Sequence, residues 1–255
     1  MIAALAPVAA AVALQLPDST GCLPPLLPCP AITRYFPVGE RLVYDAKFGF
    51  IPVGTTELEV MGIDTIRGDE ALHIQFRAKG GTFFYKIDNV MDSWVGLYDF
   101  RSRRFIQDNE EGGHERYRAF EIFPDSGFYR LEALPDTTFE TVAEPLDDAS
   151  FFYFVRTVDL TLGKRYEFER YFRPDRNPVV IEIVGRDTID VPAGRFPVIV
   201  TRPVIKGGGI LAEKSQANIW ISDDDRRIVV QIKSKFSFGT VTMRLKEIHD
   251  PRNES

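Results

Sequence analysis

Residues 41–50 read RLVYDAKFGF, a stretch in which apolar and polar side chains alternate with a period of two. Arg41, Asp45 and Lys47 share one face. The opposite face carries only apolar side chains, namely Leu42, Tyr44, Ala46, Phe48 and Phe50. Because successive side chains of a β-strand point to opposite faces of a sheet, this alternation predicts a half-buried strand.

The same alternation recurs along most of the remaining chain. It is clear in the stretches TTELEV, ALHIQFRAK, ERYRAFEIF, VVIEIV, FPVIVTRPV, RIVVQIKSK and TVTMRLKEI. Turn signals such as those at 124–127 and 192–194 separate these stretches. Strands joined by short connections lie side by side and run in opposite directions. The sequence therefore predicts a mainly β fold with a large curved antiparallel sheet, a half-barrel or barrel-like in form.

One segment, LDDASFFYFVRTVDLTLG at residues 146–163, departs from the period of two. Its apolar residues follow the spacing i, i+1, i+3, i+4, i+7 of a helix face, and they are Phe151, Phe152, Phe154, Val155 and Val158. Asp147 or Asp148 is placed to cap the first turn. We predict one principal helix here, packed against the sheet and covering an open edge or mouth.

Length, composition and charge are those of a globular protein. The 255 residues are 44% hydrophobic and 12% aromatic, which is enough apolar material for a sizeable core. The net charge of -6 comes from 37 acidic and 31 basic residues that are interspersed, without a Lys/Arg block. Nucleic acid is therefore not an expected partner, because its phosphates require a basic stripe. We predict a single β-rich domain over residues 37–249 and a C-terminal tail over residues 250–255.

The N-terminal residues 1–36 are interpreted as a separate leader that ends in a Pro-rich linker. Residues 2–16 are almost all small or apolar, and Ala11-Val12-Ala13 fits the small-x-small pattern of a secretory cleavage site. No Lys or Arg precedes the apolar run. The run is shorter than the roughly 20 residues that span a bilayer. We therefore expect the protein to be exported.

The two cysteines, Cys22 and Cys29, follow this apolar run, and three interpretations of them stay open. Thr20-Gly21-Cys22 resembles the end of a bacterial lipoprotein box, in which Cys22 would be acylated. A disulfide between Cys22 and Cys29 would suit an oxidising compartment. The third interpretation is a pair of free thiols. A zinc site is the least favoured, since two ligands without a nearby His leave the coordination incomplete.

The three histidines form no catalytic or metal-binding motif. His73 falls on the polar face of a predicted strand, His114 in a Gly-rich turn and His249 near the C-terminal end. No pair has the close spacing of metal ligands, and there is no Gly-x-Ser-x-Gly elbow. We expect a non-enzymatic protein without metal or cofactor. A hydrolase whose residues meet only through space is the less favoured alternative.

Two further clusters have a catalytic and a structural interpretation. Asp223, Asp224 and Asp225 lie between two apolar stretches, so they are either a cation site or a hairpin bend. We favour the bend, because Asp suits turns and the following Arg226-Arg227 pair offsets its charge. Residues 207–209 are all Gly, but a predicted strand follows them, whereas a phosphate loop is followed by a helix. We predict a hairpin loop there.

Aromatic residues indicate where a ligand would bind. Phe84 belongs to the cluster at 83–85, while Phe151 and Phe154 lie on the predicted helix. Together they would line an apolar cavity for a lipid-like ligand. The alternative is a packed core between sheet and helix, since sequence does not reveal a void.

Four stretches together resemble the DUF3108 family of uncharacterised bacterial envelope proteins. They span nearly everything from Gly39 to Leu245 and read GERLVYDAKFGFIPVGTTELEV, DDASFFYFVRTVDLTLGKRYEF, VGRDTIDVPAGRFPVIV and NIWISDDDRRIVVQIKSKFSFGTVTMRL. Their order and spacing carry the resemblance. It implies an exported, mainly antiparallel β protein of unassigned role in the periplasm or outer membrane of a bacterium. It brings no catalytic residues.

The resemblance also suggests a set of recurring positions, which are Gly54, Asp148, Arg156, Gly163, Pro192, Gly194, Phe196, Trp220 and Asp223. Most of them have a plausible structural role, such as Gly194 in a hairpin turn. Arg156 differs, because a charged residue on an aromatic helix is expected to reach a carboxylate or a ligand head group. The predicted ligand-binding set is Phe84, Phe151, Phe154, Arg156 and Trp220.

These observations predict a non-enzymatic envelope protein that binds a lipid or other hydrophobic ligand in the concavity of its sheet, by analogy with half-barrel carriers. The expected partners are that ligand or another envelope protein, with membrane association only through an N-terminal anchor. The alternative is a structural or interaction module of the envelope with a solid core and an exposed apolar patch.

Overall fold

A computed structural model describes residues 35–82, 85–206, 211, 216–237 and 239–253 of the chain. One sheet of 14 strands dominates it. In chain order the strands are β1 (Arg41–Phe48), β2 (Ile51–Ile66), β3 (Asp69–Thr82), β4 (Tyr85–Gly96), β5 (Ser102–Glu111), β6 (His114–Phe123), β7 (Phe128–Leu131), β8 (Phe139–Glu140), β9 (Arg165–Phe168), β10 (Val179–Val191), β11 (Gly194–Val204), β12 (Asn218–Ser222), β13 (Val229–Phe236) and β14 (Gly239–His249). The helix α1 (Ser150–Phe154) and short 3-10 turns at Pro124–Ser126, Pro174–Arg176 and Pro251–Asn253 complete the described elements.

Every pairing within the sheet is antiparallel, and the strand order is β8-β7-β6-β5-β4-β3-β2-β1-β14-β13-β12-β11-β10-β9. Neighbours in the sheet are therefore neighbours along the chain, with one exception at the centre. There β1 pairs with β14, from Arg41 opposite His249 to Phe48 opposite Val241. The sheet does not close, since β8 and β9 form its two edges.

The sheet curves around a single core. Phe76 of β3 stacks on Phe152 of α1 with ring centroids 5.3 Å apart, and Phe168 of β9 meets Phe154 of the same helix at 5.1 Å. Strands β3 and β9 are far apart in the sheet order, so they reach one short helix only because the sheet bends. The prediction of a mainly β fold with a large curved antiparallel sheet and one packed helix is confirmed.

The helix is much shorter than its apolar spacing predicted, since α1 ends at Phe154. The hydroxyl of Thr157 donates to the Phe154 carbonyl at 2.8 Å and takes one of the acceptors that the next helical turn would use. Branched residues such as Val155 and Val158 also weaken helix propagation. Gly163 lies beyond the helix, in the turn before β9, with φ of 78°.

A buried carboxylate holds the start of α1. Asp147 is fully buried, and one of its oxygens accepts the backbone N–H groups of Ala149 and Ser150 at 3.0 and 2.9 Å. Its other oxygen accepts the hydroxyls of Ser93 and Ser102 at 2.5 and 2.6 Å. Burial raises the pKa of Asp147 to about 6, although these hydrogen bonds favour the carboxylate. Asp147, rather than Asp148, is the capping residue.

The chain between β8 and β9, residues 141–164, crosses the interior from one edge of the sheet to the other. Its buried side chains include Leu146 and all five residues of α1. Leu146 also bridges to Tyr171, and its carbonyl accepts the N–H of Phe172 at 2.8 Å. This crossing segment fills the space that an open sheet would otherwise leave to solvent.

The three aspartates between β12 and β13 form a hairpin bend, as predicted. One oxygen of Asp224 accepts the hydroxyl of Ser222 and the backbone N–H groups of Arg226 and Arg227 at 2.7, 3.1 and 3.1 Å. The other oxygen pairs with the Arg226 guanidinium at 3.0 Å. The Asp224 carboxylate is thus occupied by hydrogen bonds and an ion pair within its own turn.

Candidate functional site

A cavity of about 670 Å3 lies inside the curved sheet, at the end where the hairpins β1–β2, β3–β4, β5–β6 and β13–β14 turn. Its walls come from β1 to β5 and β14, with Phe152 of α1 and two residues that follow β11, Ile205 and Leu211. One side is apolar and comprises Ala46, Phe48, Ile51, Val53, Val241 and Met243. This size is typical of small-molecule sites.

Glycines shape the wall of the cavity where β2, β3 and β4 bend. Gly54 and Gly80 lie opposite each other, and a Cβ added to Gly80 would lie 1.9 Å from the carbonyl oxygen of Val53. Gly54 and Gly81 also have positive φ values of 148° and 123°. Only glycine allows so close a backbone approach, so these positions set the depth of the concavity.

The polar side of the cavity lies across β2, β3, β4 and β5, and it carries three oxygens without a hydrogen-bond partner among the described residues. They belong to Thr56, Asn89 and Asn109, which line the cavity in a single cross-strand row together with Ala78. Thr56 is only 4% exposed. The amide nitrogen of Asn89 donates to Glu111 at 2.6 Å, which leaves its oxygen unpaired.

Asp148 extends this polar side from the start of the crossing segment. Its oxygens accept the amide of Gln107 at 3.2 Å and the hydroxyl of Tyr171 at 2.8 Å, and Arg176 lies 3.9 Å away. Burial raises the pKa of Asp148, against the opposing effects of Arg176 and the Tyr171 hydroxyl. The carboxylate is therefore fixed in position while it lines the cavity.

The mouth of the cavity has an apolar rim. Ile51 and Tyr85 line the cavity and are also 61% and 47% exposed, so they stand at the opening. Phe50 is adjacent and 100% exposed. Its predicted place on the buried face of β1 is wrong, because β1 ends at Phe48 and Phe50 lies in the turn before β2.

Most of the predicted ligand-binding residues lie elsewhere. Phe151 and Phe154 are buried in the core, Trp220 is a half-buried residue of β12, and none of the three lines this cavity. The helix contributes Phe152 instead. Phe84, Cys22 and Cys29 lie outside the described residues. Ligand binding by Phe84 and acylation or a disulfide at the cysteines therefore stay predictions.

Arg156 reaches a carboxylate, which was one of the two predicted outcomes. Its guanidinium donates to both oxygens of Glu40 at 2.5 and 2.9 Å and to the carbonyls of Arg227 and Arg226 at 2.9 and 3.1 Å. Both side chains of the pair are 1% exposed. Burial would lower the pKa of Arg156, but Glu40 outweighs this and raises it. Arg156 therefore ties the crossing segment to the start of β1 and to the aspartate bend, and does not line the cavity.

The histidines do not enter the cavity either. His73 bonds Asp92 at 2.8 Å and stacks on Trp94 with ring centroids 4.3 Å apart. Neither His73 nor His114 is a lining residue. Among the residues that the structure describes, no group of three His, Cys, Asp or Glu side chains is arranged to hold a metal ion. In the same part of the chain, no helix has the length and apolar character needed to cross a bilayer.

The curved, open sheet and its internal cavity define the class as a β-barrel-like protein with an apolar concavity. The chain belongs to the DUF3108 family, described as a protein of unknown function, whose model matches residues 43–246. No curated protein matches the chain.

Among solved structures, the chain is similar to a β-barrel-like protein of domain DUF1849 from Brucella abortus, with a TM-score of 0.53 and 10% identity over 84% of this chain and 98% of the other. A predicted lipoprotein from Parabacteroides distasonis has a TM-score of 0.39 and 10% identity over 88% and 100%. A predicted exported protein with a YmcC-like fold from Bacteroides fragilis has a TM-score of 0.36 and 11% identity over 84% and 96%. At these identities, the first similarity bears on fold alone.

Sequence reasoning missed the residues that give this cavity its polar side. Thr56 and Asn89 stand at inward positions between apolar neighbours, whereas Asn109 lies between Gln107 and Glu111. A polar residue at an inward-facing position was the available signal. The strand register, which places the three in one row, was not readable from the sequence.

Proposed function

We propose that this protein is a non-enzymatic, exported envelope protein that binds the acyl chain of a lipid in the cavity of its sheet. The observation that carries the proposal is a cavity of about 670 Å3 that is open to solvent at an apolar rim. An open apolar concavity leaves hydrocarbon surface in contact with water, and a bound acyl chain would remove that contact. Export is supported by the apolar leader and the Ala11-Val12-Ala13 pattern.

A binding rather than catalytic role is supported by the chemistry of the lining. The cavity offers amide, hydroxyl and carboxylate groups, and none of the described residues that line it is a histidine, cysteine or serine. Ser93, Ser102 and Ser150 instead surround the buried Asp147. Nucleophilic catalysis needs a nucleophile beside a base, and this lining provides no such pair.

Two experiments test the proposal. Native purification from the envelope fraction followed by mass spectrometry should recover a co-purifying lipid and define the mature N-terminus. In vitro, the fluorescent probe N-phenyl-1-naphthylamine should bind the purified protein and be displaced by amphiphiles with a dodecyl chain.

The matched variants place a large side chain inside or outside the cavity. Ala78→Phe fills the cavity and should abolish probe binding. Gln75→Phe adds the same side chain to β3, but at a position that does not line the cavity, and should leave binding intact. If Ala78→Phe remains folded and still binds the probe as well as the unmodified protein does, the cavity is not the binding site.

The rim supports a second candidate function, the docking of an envelope partner. Phe50, Ile51 and Tyr85 expose an apolar patch of a kind that marks interaction sites. Phe50→Ser should then abolish capture of a partner by cross-linking in the envelope fraction without changing probe binding. A Phe50→Ser variant with an unaltered cross-linking pattern would exclude the rim as the docking surface.

A further inference from the structure

We infer that the ligand is an amphiphile whose polar end donates hydrogen bonds and carries no negative charge, such as a hydroxylated or amino head group. This inference rests on the proposed function and specifies its ligand. The geometry that points to it is a cross-strand row in which three oxygens, on Thr56, Asn89 and Asn109, have no hydrogen-bond partner among the described residues.

Two of the three atoms on this row are amide oxygens, which can only accept hydrogen bonds, and the third is the Thr56 hydroxyl, which can donate or accept. Asn89 presents its carbonyl oxygen because its amide nitrogen already donates to Glu111. The oxygen of Asn109 is likewise without a partner among the described residues, and Asn109 lies directly opposite Asn89 in the sheet. Buried acceptors are costly when unpaired, so a complementary ligand supplies donors to them.

The charges around this row disfavour an anionic head group. Asp148 and Glu111 are both lining residues and place carboxylates on the same side as the two asparagines. Lys79 also lines the cavity, but it is an exposed residue. Arg176 lies beside Asp148 and its guanidinium donates to the Tyr171 hydroxyl at 2.8 Å, so it is already engaged. A phosphate or carboxylate would meet acceptors and like charges, whereas a hydroxyl or ammonium group would meet partners.

The apolar side of the cavity would bind the hydrocarbon part of the ligand. The side chains of Ala46, Val53 and Val241 have no polar atoms and would contact the hydrocarbon chain of the ligand. Phe152 closes this space from the helix side, while Ile51 stands at the opening. A ligand whose hydrocarbon chain lies along β1, β2 and β14 would direct its polar end toward β4 and β5.

The test compares three amphiphiles that share one chain length and differ in the head group. Monolauroylglycerol, dodecylamine and dodecanoate are each titrated, below their micellar concentrations, against the protein with bound N-phenyl-1-naphthylamine. Two lost hydrogen bonds and a like-charge contact should weaken dodecanoate, so we expect its Kd to be about tenfold or more higher than those of the other two.

Variants locate the origin of the preference. Asn89→Leu and Asn109→Leu should each lower the ratio of the dodecanoate Kd to the monolauroylglycerol Kd, because they remove the acceptors but keep the carboxylates of Asp148 and Glu111; probe binding should persist. Asp108→Asn changes an exposed residue between two lining positions of β5 and should leave the ratio unchanged.

The possible outcomes separate the two proposals. Dodecanoate binding as tightly as the other amphiphiles would overturn the inference on the head group and leave acyl-chain binding intact. Displacement by none of the three would overturn both. A preference that is undiminished in both leucine variants would show that the row of polar residues is not its source.

Discussion

At the scale of single residues, the buried ion pair of Arg156 and Glu40 allows a specific prediction about the stability of the fold. Both side chains are 1% exposed, and the guanidinium has two carboxylate and two carbonyl acceptors. Its charge also lies 4.7 Å from the ring centre of Phe36. A buried charge that loses its partner keeps its desolvation cost, so each member depends on the other.

We therefore predict that Arg156→Met or Glu40→Gln alone lowers the free energy of unfolding by about 3–5 kcal/mol. The double variant should lose much less than the sum, because no unpaired charge remains. Urea denaturation of the four proteins measures both effects. Arg165 with Glu182 is the exposed control pair, and its removal should leave the free energy of unfolding nearly unchanged, because water screens the interaction. If the double variant lost as much unfolding free energy as the two single variants together, the prediction would be contradicted.

Asp147 gives stability a defined pH dependence. Its folded pKa of about 6 exceeds the value of about 3.9 expected for an unfolded Asp, so protonation favours the folded state. The stabilisation is complete below about pH 4 and is lost as the pH rises through 6. At about 1.4 kcal/mol per pKa unit, the change amounts to about 3 kcal/mol.

Asp147→Asn isolates this contribution, because all other titrating groups are common to both proteins. We expect the unfolding free energy of the natural protein, relative to that of the variant, to fall by about 3 kcal/mol between pH 4 and pH 7. Denaturant titrations across this range measure it. A constant difference would mean that the pKa of Asp147 is not raised.

Sequence alone anticipated part of this residue-level picture. The charge of Arg156 within aromatic surroundings predicted a carboxylate or a ligand head group as its partner, and the partner is a carboxylate. Glu40 could not be identified as that partner, because its contact depends on the crossing segment meeting the start of β1. Likewise, Asp147 and Asp148 were equivalent as caps in the sequence, and only packing directs one into the core and the other into the cavity.

At the scale of elements, strands were more predictable than the helix. Alternation recurs over many residues and survives local irregularities, as at the bulges of β2 and β10, where the register shifts between Val60 and Gly62 and between Ile183 and Gly185. Two similar pentapeptides, GIDTI at residues 62–66 and GRDTI at residues 185–189, begin at these two bulges. The helical spacing of residues 151–158 reflects burial on all sides of a short crossing segment, which periodicity does not distinguish from a longer helix.

The close approach of β2 and β3 at the cavity leads to a prediction for this pair of strands. Gly80→Ala would place a Cβ 1.9 Å from the Val53 carbonyl oxygen, so the strands must separate. We expect a loss of about 2 kcal/mol or more in unfolding free energy, with weakened probe binding. Gly62→Ala is the matched control on β2, since nothing lies within 4 Å of its added Cβ. Equal effects of the two substitutions would contradict the prediction.

At the scale of the whole molecule, the sequence predicted the class of fold but left open whether the interior holds a cavity or a packed core. Composition and alternation indicated a curved sheet with an aromatic interior, and the family resemblance agrees with the match over residues 43–246. Whether aromatic side chains fill the interior or leave a cavity depends on where the crossing segment lies. It fills the space beside β9 with Phe154 and leaves open the end bounded by Phe152.

The pairing of β1 with β14 at the centre of the sheet also determines how the chain folds. Strands β1 to β8 and β9 to β14 form two lobes of successive hairpins, and each lobe can form its local pairings early. Joining β1 to β14 closes a very long loop, and non-local closure of this kind slows folding to milliseconds or seconds. Because the crossing segment packs against both lobes, neither completes its core before they join.

The two tryptophans provide a reporter in each lobe, Trp94 in β4 and Trp220 in β12. In stopped-flow refolding, Trp94→Phe and Trp220→Phe variants should therefore show the same main rate constant, because one closure event limits both. Separate rate constants would mean that the lobes mature independently. A shared rate constant would show that the pairing of β1 with β14 is the rate-limiting step of folding. Aggregation of partly folded lobes would then compete with folding whenever this step is delayed.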